Sequence, residues 1–153
     1  MPTAATPKPK AAAKPATKAA AKGTARYIEA VGRRKTAIAR VRATESSKNS
    51  FKINDRTLES YFGTMELQSI VNAPLDREGF VVKYAVTVKV VGGGTHAQAE
   101  AIRHGLSRII VMEDAEQKAE LKKLGFIRRD PRKAERKHFG LKKARKASQW
   151  SKR

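Results

Sequence analysis

"GFVVKYAVTVKVVGGGTHAQAEAIRHGLSRIIVMED", residues 79–114, holds two hydrophobic periods back to back. Phe80, Val82, Tyr84, Val86, Val88 and Val90 alternate with positions that include Lys83, Thr87 and Lys89. A period of two with this β-branched content predicts a half-buried strand. After Gly92, Gly93 and Gly94 the period changes. Ala99, Ile102, Leu106, Ile109 and Ile110 recur at three and four, which predicts an amphipathic helix with one buried stripe. Thr95 and Gln98 have the T-x-x-Q spacing of a capping box at its start. A strand feeding directly into a long helix is the nucleus of a sheet-and-helix domain.

Upstream, "GRRKTAIARVR" (residues 32–42) predicts a strand from Val31 to Val41. Ala37, Ala39 and Val41 face inward and Arg34, Arg40 and Arg42 outward, with Ile38 breaking the pattern. "SSKN" reads as a turn, and "SFKIN" as a short strand pairing back on the first. "DRTLESYFG" predicts a short helix capped by Asp55, with Leu58 and Phe62 on one face and Gly63 as the stop. "TMELQSIVNAPL" predicts another, capped by Thr64 and ended by Pro74. Downstream, Asp114 and Gln117 form a second box that opens "DAEQKAELKKLG", and Gly125 closes it. Strands, helices, a strand and helices again in this order predict an α+β, two-layer sandwich with helices on one face of the sheet.

The charge divides the chain into three. Of 153 residues, 34 are Lys or Arg and 14 are Asp or Glu, a formal net charge of +20. Residues 1–25 carry five lysines and no acid (+5). Residues 26–125 carry 17 basic and 12 acidic residues (+5), and residues 126–153 carry 12 and two (+10). Such an excess destabilises a compact chain by self-repulsion, so it implies a polyanionic partner. The organisation expected is a low-complexity basic Ala/Lys/Pro tail at 1–25, a globular α+β domain at 26–128, and an extended basic tail at 129–153. Residues 1–25 offer no large apolar side chain after Met1, and Pro7, Pro9 and Pro15 interrupt any helix, so disorder is expected there. A transit peptide would need the arginine and serine this segment lacks, and a secretory signal its missing apolar stretch. With no cysteine there is no disulfide framework and no thiolate metal site.

Catalytic and cofactor motifs are not found. The three glycines before the helix suit a phosphate cradle at a helix N-terminus, but Thr95 and His96 follow where a Walker loop needs Lys and then Ser or Thr. A hinge that turns strand into helix is the simpler reading. His96 and His104 stand eight apart, not at the i,i+4 spacing of a helical metal pair, and no third ligand converges on them. There is no G-x-S-x-G element, and Glu113–Asp114 at a helix boundary reads as a cap. No enzyme, metal or cofactor is expected.

The basic runs are more informative. In a strand, alternate side chains form a row about 6.5–7 Å apart, close to the phosphate spacing along a nucleic acid strand. Arginine binds phosphates through two nitrogens and stacks on bases. Arg33, Arg34, Lys35, Arg40 and Arg42 are therefore candidate RNA contacts. "RRDPRKAERKHFGLKKARKASQWSKR" (residues 128–153) is the densest run. As an amphipathic membrane helix it fails at Gly140 and on its thin apolar face. As a nuclear-localisation cluster, "KKARK" leaves the aromatics unexplained. An arm that orders on RNA accounts for both. Arg128, Arg129, Arg132, Lys142, Lys143, Arg145 and Lys146 would sit on phosphates, and Phe139 and Trp150 would stack on bases. A histone-like DNA-compacting protein is the alternative, since residues 1–25 suit sequence-tolerant phosphate binding.

Three stretches in order, "GRRKTAIARV", "GGGTHAQAEAIRHGLSR" and "DPRKAERKHFGLKKARKASQWSKR", resemble the ribosomal small-subunit protein nine family of bacterial or organellar type. The resemblance runs from Tyr27 to Arg153 and leaves residues 1–25 outside it. It implies a sandwich like the second domain of small-subunit ribosomal protein five, with a left-handed β-α-β crossover against the usual rule. It also implies a place in the head of the small ribosomal subunit, on small-subunit rRNA beside neighbouring head proteins, in the cytoplasm and away from any membrane. The tail of such proteins threads to the P site, where its end contacts the bound tRNA. On this chain that role falls to Ser151, Lys152 and Arg153. Glu100 is larger than the residue the family often carries there, and makes its helix face a poorer RNA contact.

Overall fold

The computed structural model describes residues 27–77 and 80–152. The expectations for the tail at 1–25 and for Arg153 lie outside the described residues. Five strands form one sheet in the order β1-β2-β5-β3-β4. They are β1 (Ile28–Arg34), β2 (Ala37–Glu45), β3 (Ser50–Ile53), β4 (Arg56–Thr57) and β5 (Tyr84–Val91). Helices α1 (Leu58–Tyr61) and α2 (Met65–Asn72) lie between β4 and β5, and α3 (Thr95–Glu113) and α4 (Lys118–Lys123) follow β5. The α+β class read from the sequence is the class observed.

The β5–α3 pair organises the rest. Along β5, Tyr84, Val86, Val88 and Val90 are buried and Thr87, Lys89 and Val91 exposed, as the period of two dictates. On α3, Ala99, Ile102, Leu106, Ile109 and Ile110 are fully buried against the sheet. Each such Leu or Ile contributes about 1.5–3 kcal/mol by leaving water. Phe62, Val71 and Leu121 close the same core from α1, α2 and α4. Gly92 and Gly93 bend the chain between strand and helix with φ of 75° and 69°. A Cβ at Gly92 would stand 2.7 Å from the Thr36 carbonyl oxygen, so the hinge reading of the glycines fits the packing.

Several local expectations need correction. The run Val31–Val41 is a hairpin, not one strand. Lys35 takes a left-handed φ of 49° and Thr36 completes the turn, pairing Arg34 with Ala37. The segment Ser50–Ile53 pairs in parallel with β5, not back on β2, because β5 inserts between them. That pair is joined by a crossover through β4, α1 and α2. The cap of α1 is Thr57, whose hydroxyl accepts from the Ser60 amide (3.4 Å); Asp55 instead sits in the β3–β4 turn at φ 70°. Neither capping box forms. Helix α3 begins one residue early, with Gly94 as its cap. Gln98 donates to the Gly92 carbonyl (3.1 Å) and accepts from the Tyr61 hydroxyl (2.8 Å). Asp114 accepts from the Glu116 amide (3.0 Å), and α4 starts only at Lys118. Strand β5 also starts at Tyr84, leaving Val82 partly exposed before it.

Helix α4 ends in a Schellman turn. Gly125 has φ 75°, its amide donates to Lys122 (3.1 Å), and the Phe126 amide donates to Leu121 (3.0 Å). From there to Lys152 no helix or strand forms. Leu141 and Ala147 make one isolated bridge. Among the described residues, no helix is long and apolar enough to cross a membrane.

Candidate nucleic-acid interface

The helices cover one face of the sheet, and among the described residues the other is open. Its rows follow from the register: Arg33 beside Ile38 and Val91, Val31 beside Arg40 and Lys89, Glu29 beside Arg42, Thr87 and Lys52. The face is cationic, with Glu29 among its few acids. Arg40 and Arg42 both lean on Glu29, through Nε at 3.2 Å and 2.8 Å. They remain 58% and 44% exposed, so neither is sequestered. The Arg42 guanidinium lies 5.0 Å over the half-exposed Tyr27 ring, a cation and a flat apolar surface side by side. The bond to Glu29 raises the pKa of Arg42 above its ordinary value. Lys52 and Lys89 join this surface. Their alternation was visible in the sequence, but only the sheet order brings them beside Arg40 and Arg42.

Arg34 does not belong there. In a hairpin with a two-residue turn, Arg34 shares a face with Ala37 and Ala39, both fully buried. Its side chain is 13% exposed and points toward α3. It is ion-paired with Glu100 in a very short contact, lies 3.2 Å from Asp130, and donates to the Arg132 carbonyl (2.7 Å). The row Arg34–Arg40–Arg42 expected from a single strand is therefore split between two faces.

Where the chain leaves α4, a second basic surface forms. Arg33, Arg34, Arg103, His104, Arg128 and Arg129, with Phe126 and the carboxylates of Glu100 and Asp130, surround a cleft of about 30 Å³, room for a water or two. Arg103 lies 5.0 Å over Phe126. Arg108 donates to the Val31 carbonyl (2.6 Å). These α3 arginines escaped the sequence reading, although 100, 103, 104 and 108 mark the helix stripe opposite the apolar one. His104 is half buried and its Nδ1 accepts from the Arg33 amide (3.2 Å). Burial, then Arg108, push its pKa down, with Arg129 and Arg103 adding to the effect. His104 is thus neutral at pH 7 and serves as an acceptor. His96 lies 3.9 Å from Glu100. Among the described residues no cluster of His, Asp and Glu could hold a metal ion.

The extension from Asp130 to Lys152 is exposed along almost its whole length. Arg132 binds Asp130 (2.9 Å) and Arg145 binds Glu135 (2.8 Å). The Arg132 bonds hold the Asp130 carboxyl down at about 2. Lys142, Lys143, Lys146 and Lys152 have no ion-pair partner among the described residues, nor do Arg128 and Arg129 at its root. Phe139 is fully exposed and Trp150 is 80% exposed. Of the sequence candidates, Arg33, Lys35, Arg40, Arg42, Arg128, Arg129, Arg132, Lys142, Lys143, Arg145, Lys146, Ser151 and Lys152 are all exposed. Each exposed ring leaves apolar area in contact with water.

The Tyr84 hydroxyl donates to Glu113 in a very short bond, and burial raises the pKa of both groups. This pair ties the start of β5 to the end of α3.

The family described as Ribosomal protein S9/S16 matches residues 32–153, a span that includes the hairpin turn, the β5–α3 pair and the whole extension. The chain belongs to that family and is a protein of the small ribosomal subunit.

Proposed function

We propose that this chain is a structural, non-catalytic component of the ribosome that binds small-subunit rRNA in the head and reaches P-site tRNA with its C-terminal extension. The observation that carries this is the extension itself: cations, most without an ion-pair partner among the described residues, interleaved with the fully exposed Phe139 and the largely exposed Trp150. Charge without aromatics would suit any polyanion. Exposed rings among phosphate-binding side chains suit single-stranded or looped RNA, whose bases are free to stack. The chain then has three working parts. The domain at 26–128 lies on rRNA through Arg33, Lys35, Arg40 and Arg42. The extension at 129–153 runs through rRNA on Arg129, Arg132, Lys142, Lys143, Arg145 and Lys146, with Arg128 at its root. Ser151, Lys152 and Arg153 meet the tRNA backbone. The tail at 1–25 adds charge. The protein works in cytoplasmic ribosomes beside other head proteins, without a cofactor. Family membership favours this reading over the DNA-compacting alternative.

Ultraviolet cross-linking of assembled small subunits, with the cross-linked peptides read by mass spectrometry, tests this. Cross-links are expected at Tyr27, Phe139 and Trp150 to small-subunit rRNA. Cross-links confined to the α1–α2 side, around Glu59 and Glu66, would overturn it.

A further inference from the structure

Arg34 stands in the most basic stretch of the body, yet it is satisfied entirely within the chain. Three segments far apart in sequence meet on its one guanidinium: the end of β1, Glu100 on α3, and Asp130–Arg132 at the root of the extension. Two other ties lie beside it, the Arg33 amide on His104 and Arg103 over Phe126. Asp130 also accepts from the Arg132 amide (2.9 Å), which fixes the turn that the guanidinium grips. A planar fork bonded at three positions constrains direction as well as position, which a lysine could not do.

We infer that Arg34 is a positioning residue, the clasp that fixes the direction in which the extension leaves the body, and not an RNA ligand. This rests on the reading of the extension as an RNA-contacting arm. From Lys133 to Lys152 the chain is 20 residues, reaching at most roughly 66–72 Å. An arm that long samples a large volume when its root swings, and binding at its tip must then offset that lost freedom. A root held by Arg34, Glu100 and Asp130 removes part of the cost before any RNA arrives. Glu100 has a use in this arrangement: it anchors the clasp.

The chain has no cysteine, so spin labels at Ser46→Cys and Ala134→Cys report one distance in the free full-length protein. The distance distribution is expected to broaden at least twofold in Arg34→Gln, and likewise in Asp130→Asn, which lies outside the core and leaves folding intact. In reconstituted subunits both variants should weaken P-site tRNA binding about three- to tenfold, while the salt dependence of rRNA binding stays unchanged. An unaltered distance distribution in both variants would overturn the clasp. A salt slope reduced by about one in Arg34→Gln would also overturn it, since Arg34 would then be neutralising a phosphate. The distance measurement involves no RNA. A chain whose root loosens while tRNA binding is indifferent to the tip would refute the tRNA reading and leave the clasp standing.

Discussion

Phe62 and Phe139 are the same side chain in opposite circumstances. Phe62 is 1% exposed, edge-on to Tyr61 and sealed into the core; Phe139 is fully exposed. The body around Phe62 buries a continuous apolar cluster on the inner face of the sheet. The extension around Phe139 buries almost nothing and carries most of its cations without acids nearby. The body is therefore stabilised by its own contacts, whereas the extension has few contacts of its own and, on the proposed function, gains them from a partner. One chain holds a fold that is complete by itself and an arm that, on the proposed function, is completed by RNA.

The sharpest way to break that contrast is in the core. Gly32 and Gly105 let β1 and α3 approach backbone to backbone. A Cβ at Gly32 would lie 1.8 Å from the Ala101 carbonyl oxygen. Gly32→Ala should cost about 3 kcal/mol or more in urea unfolding, and Leu106→Ala about 3–5 kcal/mol. Phe139→Ala and Trp150→Ala should stay within about 0.5 kcal/mol. Equal losses in core and extension would remove the distinction.

Salt sharpens it from the binding side. With about eight phosphates neutralised, the slope of log affinity for rRNA against log salt should be roughly −6 to −7. Removing residues 129–153 should take most of that slope while leaving the unfolding midpoint of the body in place. A slope indifferent to that truncation would put the phosphate contacts on the sheet.

Arg40→Ala with Arg42→Ala tests the open face. Their pairing with Glu29 is solvent-exposed, so stability should change by less than about 1 kcal/mol. Incorporation into subunits should fall, and the salt slope should drop by about two. Normal incorporation would mean that the face is idle.

How much of this was legible depends on the local signal. The β5–α3 pair was plain because alternation and the 3.6-residue period are direct images of burial. The hairpin was not. Its turn, Lys35–Thr36, contains no glycine, asparagine or proline, although Lys35 adopts φ 49°. Missing that turn inverted the face of Arg34, so a largely buried, ion-paired arginine read as one of an exposed row. The cationic character of the extension was fully visible, since charge needs no fold to be read. The α3 arginines were hidden for the opposite reason: their meaning depends on Phe126 and Arg128 folding back beside them. The Gly94 cap was missed because Thr95 offered a better side chain one position too late.

The smallest effect expected is a pH dependence. The His104 pKa is lowered in the folded chain from an ordinary value of 6.5, chiefly by burial. The unfolded chain thus takes up a proton first on acidification. The stabilisation is present in full above pH 6.5 and is lost as pH falls through the lower folded value. Urea midpoints should drop between pH 7.5 and 5, and less so in His104→Gln. An identical drop in both proteins would assign the acid sensitivity elsewhere.

The most direct test removes only the tip. Small subunits carrying the chain without Lys152 and Arg153 should assemble normally, with the fold and the rRNA contacts intact. Their P-site tRNA affinity should fall by about tenfold or more, the scale of lost charge-assisted phosphate bonds. Normal tRNA affinity in those subunits would contradict the account, leaving the extension a brace for rRNA alone.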